Sequence, residues 1–318
     1  MTDPTFHAGE RAVQARMGVA ARMAALGPLV IRDFMPEQHR EFFAQLPFLI
    51  TGTVDAQGQP WASVLTGSPG FVQSTDAHTL VVQAQPLAND PLQHTLVNGA
   101  AIGLLGLEPH TRRRNRLNGV VQGMDASGFK VQLQQSFGNC PKYIQARGSV
   151  YLPDRQNTNP VLHTSDKLDD AARRMIEAAD TLFIASAYSG GVSAGAAGGV
   201  DVSHRGGKPG FVRINADDTL TVPDFVGNYF FNTLGNLTVN PRAGLLLMDF
   251  DSGNLLYLAA VAEIVWDGHE VRVFEGAQRL LRFQIKGMRR LAAALPLRWG
   301  PATLSPALDG TGSWPKHG

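Results

Sequence analysis

Pro69-Gly70-Phe71-Val72 recurs as Pro209-Gly210-Phe211-Val212, a shift of 209 − 69 = 140 residues. Thr79-Leu80 matches Thr219-Leu220 at the same shift. Thr95-Leu96 matches Thr233-Leu234 at 138, and Gly103-Leu104-Leu105 matches Gly244-Leu245-Leu246 at 141. A near-constant shift with small slips is the mark of one duplicated module whose loops differ in length. Two copies are too few for a solenoid, so the repeat predicts two small sheets or barrels packed against each other.

Inside each copy the pattern is that of short strands. Phe48 to Val54, a turn at Asp55 to Pro60, and Trp61 to Leu65 predict a hairpin. Phe71-Val72, Leu80 to Val82, Ile102 to Leu107 and Leu117 to Val121 extend it, and Phe129, Val131 and Leu133 alternate with polar residues. The second copy opens at Leu182 to Ala185 and repeats the order through 211–214, 219–222, 244–250 and 255–265. It ends on a matching alternation at Leu281, Phe283 and Ile285. This order predicts a small antiparallel barrel in each copy. Helices are expected over 8–26, over 37–45 after Pro36, and between the copies after an N-cap at Ser165. The expected organisation is a helical arm (1–45), a first barrel (46–150), a linker helix (151–179) and a second barrel with a C-terminal extension (180–318).

Composition narrows the function. The 318 residues carry a net charge of +1, which speaks against nucleic acid or another large polyanion as partner. With Cys140 as the single cysteine, no intrachain disulfide can form, which is compatible with a reducing, cytoplasmic setting. No apolar run is long enough to span a bilayer, so a membrane partner is not expected. No GxGxxG, GxSxG or HExxH pattern occurs, and the lone Cys140 does not suggest a metal site.

Three segments could carry chemistry. Ser203-His204-Arg205-Gly206-Gly207-Lys208 combines hydroxyl, imidazole, guanidinium and glycines, a phosphate-binding set that also fits a solvated Gly-rich hairpin. Pro223 to Thr233 offers Asp224, Gly227, Asn228, Asn232 and Thr233 among aromatics, suited to a flat heterocycle or simply to a helix start. Arg112 to Arg116 reads as a hairpin tip or a local anion site. Gly190 to Gly199 reads as a flexible loop.

Together these segments resemble the pyridoxamine 5'-phosphate oxidase-related, FMN-binding split-barrel superfamily, and most closely its larger flavin-nucleotide-binding members. The carrying stretches are 46–70, Gln135 to Ile144 with Asn139-Cys140-Pro141-Lys142-Tyr143-Ile144, 199–212, 223–250 with Asn240-Pro241-Arg242-Ala243, and Leu295 to Trp299. The resemblance implies a mainly β chain of two tandem split β-barrels with flanking helices. It also implies non-covalent FMN at a barrel–barrel interface, formed within one chain by the duplication, with pairing into a homodimer left open. It places phosphate at Ser203, His204, Arg205 and Gly206, with Pro223, Asp224, Gly227, Asn228, Asn232 and Thr233 meeting phosphate and ring. The oxidases' Ser-Arg-Lys step is missing from that loop, so Arg116, Lys142 or Arg298, beside Trp299, would supply the compensating cations. Larger relatives continue past a Thr-Gly-x-Trp segment into a reductase-like module. Here Thr311-Gly312-Ser313-Trp314 lies four residues from the end, so electrons are expected from a small-molecule donor or an NAD(P)H-linked reductase. The expected function is that of an FMN-dependent oxidoreductase, with no general acid or base singled out. A flavin store or sensor without turnover is the rival. A haem-binding split barrel, with His163, His204 or His269 as axial ligand, is a further alternative.

Overall fold

The computed structural model describes residues 5–155, 159–188 and 197–315. Helices α1 (Ala8–Arg16), α2 (Ala20–Val30) and α3 (Glu37–Ala44) open the chain. Strands β1 (Phe48–Val54), β2 (Pro60–Thr66), β3 (Val72–Ser74) and β4 (Thr79–Val82) follow. The one-turn helix α4 (Leu92–Thr95) leads into β5 (Ala101–Glu108), β6 (Arg113–Asp125) and β7 (Gly128–Gly138). A connecting stretch holds β8 (Ser149–Tyr151), β9 (Leu162–Ser165) and α5 (Asp170–Ala178). The second series is β10 (Thr181–Tyr188), β11 (Gly199–Gly206), β12 (Arg213–Ile214), β13 (Leu220–Asp224), α6 (Asn232–Val239), β14 (Arg242–Met248), β15 (Leu255–Val265), α7 (His269–Val273), β16 (Arg279–Leu291) and β17 (Leu297–Trp299).

The chain is mainly β, and the two series build the same sheet. The first has strand order β2-β1-β5-β6-β7-β4-β3, and the second β11-β10-β14-β15-β16-β13-β12, each the other's image with every neighbour antiparallel. The repeated Pro-Gly-Phe-Val has a local physical cause. In each copy a proline and a left-handed glycine (Gly70 φ 96°, Gly210 φ 85°) form a turn closed by Phe71 N–H to the Ser68 carbonyl and Phe211 N–H to the Lys208 carbonyl. The phenylalanine then folds back over a glycine four residues earlier. A Cβ on Gly67 or Gly207 would lie 2.5 or 2.3 Å from that ring.

Each sheet buries its own core. The first gathers Leu49, Leu65, Phe71, Leu104 and Val131, the second Leu182, Phe211, Leu245 and Phe283. A third core is shared, with Phe48, Ile50 and Val64 from one barrel against Phe183, Val202 and Tyr257 from the other. Paired glycines set the spacing there. A Cβ on Gly103 would lie 2.6 Å from the Val200 carbonyl oxygen of β11, and one on Gly244 would lie 2.2 Å from the Pro60 carbonyl oxygen of β2. The two barrels are thus related by a pseudo-twofold axis, with β5 crossing β11 as β14 crosses β2.

Several sequence expectations are corrected. The helix expected over 8–26 is two, broken where Gly18 takes a left-handed φ of 69°. The linker helix is capped not by Ser165, which ends β9, but by Asp169, whose carboxylate accepts from Ala172 N–H at 2.7 Å. Ser203 to Arg205 form no loop at all; they lie within β11. Arg113 to Arg116 begin β6 rather than forming a hairpin tip. The Gly190 to Gly199 loop lies mostly outside the described residues. No described helix is long and apolar enough to cross a membrane.

Candidate functional site

Alternation along two strands builds the site. Arg114 and Arg116 lie on one face of β6, and Asp201, Ser203 and Arg205 on one face of β11, because side chains two apart in a strand point the same way. Where the two barrels meet, these faces converge. Arg116 donates from Nη1 to Asp201 Oδ1 at 3.0 Å and from Nη2 to Ser203 Oγ. Asn118 and Asn236 also donate to Asp201, at 2.6 and 3.0 Å. Thr233 Oγ1 donates to Ser203 Oγ at 2.9 Å.

Arg116, Ser203 and Thr233 line the floor of an open cleft between the barrels. Twelve of the fourteen residues expected from sequence line it: Arg116, Lys142, Ser203, His204, Arg205, Gly206, Pro223, Asp224, Gly227, Asn228, Asn232 and Thr233. The remaining two are corrected. Arg298 is exposed on β17, which pairs with β8, and Trp299 packs edge-on against Phe48 and Phe250, away from the cleft. The N-cap position of α6 belongs to Phe231, and Asn228 accepts from Phe230 N–H at 3.1 Å.

The charge balance of the cleft is positive. Arg205 Nε lies 3.3 Å from Asp224 Oδ1, and Arg279 Nη1 donates to Asp224 Oδ2 at 3.1 Å. Arg114, Arg116, Arg205, Arg279 and Lys142 make five cations against the carboxylates Asp201 and Asp224, 5 − 2 = +3. Burial, then the neighbouring Arg205, pull the Arg114 pKa down to about 10. Burial, then Arg114 and Arg205, hold His204 well below the ordinary imidazole range, so it is neutral. Its Nδ1 sits 3.1 Å from Arg114 Nη1, which can only donate, so the proton resides on Nε2. Arg116 keeps a buried Nε–H with no partner among the described residues, although the residue is only 3% exposed. Helix α6 presents its N-terminus to the same floor with no side-chain cap, leaving the positive end of its dipole uncovered.

The walls are aromatic and strained. Tyr143, Tyr229 and Phe231 all line the cleft and hold left-handed backbone (φ 66°, 65° and 63°), which costs bulky residues about 1–3 kcal/mol each. Tyr143 is fixed by a hydrogen bond from its hydroxyl to the Val226 carbonyl at 3.1 Å and by Phe225, 5.0 Å away ring to ring.

Sequence reasoning missed Asp201, Asn236 and Glu10, and held Arg114 only within the Arg112 to Arg116 run. The i, i+2 spacing of Arg114–Arg116 and Asp201–Ser203–Arg205 was a usable signal once both stretches are taken as strands. Glu10 gave none. It reaches the site only because α1 packs on α6 through Gly9 and Gly235, where a Cβ on Gly9 would lie 2.2 Å from the Gly235 carbonyl oxygen. Glu10 accepts from Asn232 Nδ2, and burial, then Asp201, push its pKa up to about 8.

Residues 35–156 match the family model of pyridoxamine 5'-phosphate oxidase. The first barrel belongs to the pyridoxamine 5'-phosphate oxidase-like split-barrel superfamily. The second barrel repeats its strand order. No curated protein matches the sequence. Among solved structures, a histidine-to-alanine variant of HupZ from Group A Streptococcus is 11% identical, with 39% of this chain and 98% of that one covered and a TM-score of 0.31. A candidate pyridoxamine 5'-phosphate oxidase from Lactobacillus delbrueckii is 14% identical over 39% and 94% of the two chains, with a TM-score of 0.30. A FAD-binding protein from Mesorhizobium loti is 12% identical over 42% and 99%, with a TM-score of 0.28.

Proposed function

We propose that this chain is an FMN-binding flavoprotein that passes hydride or electrons between a soluble donor and a small acceptor. The observation that carries the reading is the floor of the cleft. A buried guanidinium with a free N–H, a serine and a threonine hydroxyl, and an uncapped helix N-terminus converge there under a net charge of +3. That donor set suits a phosphate monoester, which carries nearly two negative charges at neutral pH and accepts through three oxygens. The aromatic wall of Tyr143, Phe225, Tyr229 and Phe231 suits a flat ring system beside it. A phosphate and a planar heterocycle are the two halves of FMN, and the oxidase-like barrel supports the choice of a flavin over other nucleotides.

When bound, FMN supplies the hydride chemistry, and the protein supplies binding, orientation and electrostatics. Arg116, Ser203 and Thr233 would hold the phosphate, with Arg205 as a second cation tethered by Asp224. Neutral His204 offers a donor at Nε2 rather than a charge. Asn228 and Asn232 lie where the edge of a heterocycle could be read.

The test is a fluorescence titration of FMN into the protein and its Arg205→Ala variant. A charge-assisted bond contributes about 1.5–3 kcal/mol, so affinity should fall roughly 10- to 150-fold. Unchanged affinity would remove Arg205 from the site. Bleaching of the bound flavin by NAD(P)H then separates an oxidoreductase from a carrier or sensor that leaves the spectrum unaltered.

A further inference from the structure

The pseudo-twofold axis gives the cleft a counterpart, and the register of the two sheets identifies it residue by residue. Leu105 faces Arg116 across β5 and β6, and Leu246 faces Tyr257 across β14 and β15. Tyr257 therefore stands where Arg116 stands. Ile50 faces Leu105 and Phe183 faces Leu246. Following β1 to β2 and β10 to β11 from there sets Ser63 at the position of Ser203, and Leu65 at that of Arg205.

The counterpart is not an empty cleft. Asp90, in the segment leading to α4, places its carboxylate between the two barrels. Its Oδ1 accepts from Ser63 Oγ at 2.6 Å and from Leu92 N–H at 2.7 Å. Its Oδ2 accepts from Tyr257 Oη at 2.6 Å. Ser63, Asp90 and Tyr257 are all fully buried. The pattern of donors is that of the open cleft: a strand serine, a group at the Arg116 position and a backbone N–H at the start of the following helix. The acceptor they share is a carboxylate of the chain itself.

We propose that this second site is internally liganded, with the Asp90 carboxylate standing in the place of a bound anion, so that each chain takes up one phosphate-bearing ligand and takes it at the Arg116 cleft. The inference rests on the flavin reading only for the identity of that ligand. Tyr257 and Leu65 stand where the open cleft has Arg116 and Arg205; the cation that does act on Asp90, Arg289 of β16, comes from outside those positions and donates to the Asn89 carbonyl at 3.1 Å.

The experiment counts ligands on the intact chain and on Arg116→Met, using FMN and, separately, inorganic phosphate, by isothermal titration and native mass spectrometry. One FMN per chain, lost in Arg116→Met, is the expected result. Two FMN per chain, or one retained by the variant, would overturn the proposal. If FMN does not bind but one phosphate does and is lost in the variant, the flavin reading fails and the one-site assignment stands. If neither binds, both fail. Arg116→Lys serves as the second variant should the methionine form not fold; there, a single ligand held at least 10-fold more weakly is expected, and undiminished affinity counts against the assignment.

Discussion

The two barrels share strand order, turn geometry and a glycine-spaced crossing, yet their two halves of the interface do opposite things. On one side the position facing Leu105 is Arg116, and the structure leaves a cleft with excess positive charge. On the other side the position facing Leu246 is Tyr257, and the structure is closed around Asp90, which accepts from Ser63, from Leu92 N–H and from Tyr257. One fold therefore does not dictate one chemistry. What differs is the charge at equivalent positions: guanidinium groups line the open cleft, whereas on the sealed side two hydroxyls and a backbone N–H meet one internal carboxylate, with Arg289 acting on it from β16. The same comparison extends to the covering elements. Helix α1 lies over α6 on the open side, held by Glu10, while Arg289 of β16 donates to the Asn89 carbonyl at 3.1 Å on the sealed side.

The largest expected effect comes from breaking the open side. Arg116→Met strands Asp201 without its guanidinium, and removing one partner of a buried pair costs about 3–5 kcal/mol, to be measured by urea unfolding. Ligand affinity should disappear with it.

Next is the pH dependence of the α1 cover. The folded pKa of Glu10 is raised to about 8, above its unfolded value of 4.5, because burial and Asp201 disfavour the carboxylate. Stability from this group is therefore complete below pH 4.5, falls as pH rises, and is lost once pH passes through 8. A few kcal/mol are expected to be involved, with one pKa unit equal to about 1.4 kcal/mol. The thermal unfolding midpoint between pH 5 and 8.5 (roughly the range in which the folded state holds a proton that the unfolded state has lost) should decline in the natural protein and be visibly flatter in Glu10→Gln. Equal slopes would mean that Glu10 does not hold the proton.

A smaller loss is expected from the sealed side. Tyr257→Phe removes one donor to Asp90 and should cost about 1–3 kcal/mol in urea unfolding while leaving flavin affinity unaltered. A change in affinity would contradict the separation of the two sides. The smallest effect is set for Arg298→Ala. The side chain is exposed on β17, so both stability and affinity should stay within about 0.5 kcal/mol.

Much of this architecture was legible in the chain. The Pro-Gly-Phe-Val repeat is readable because a proline followed by a left-handed glycine fixes a turn locally, whatever surrounds it. Alternation along residues 129–134 and 281–286 likewise marks strands by a rule that needs no tertiary contact. Ser203 to Arg205 show where that legibility stops. Their composition suits a solvated loop, and they are a buried strand only because β10 and Arg116 surround them. Ser165 lost its capping role to Asp169 for a related reason: β9 is drawn onto β16, which moves the helix start four residues on.

The sequence by itself determined that there are two like barrels, since turn and strand preferences are properties of a few adjacent residues. Most residues that line the cleft could also be named from the sequence, through the family resemblance, since their types alone fit a solvated loop as well. Only the tertiary structure decided which interface is open. Arg116 and Ser203 are 87 residues apart, and Tyr257 and Asp90 are 167 apart. Whether a buried polar group finds its partner within the chain or is left to seek one outside depends on how the barrels pack.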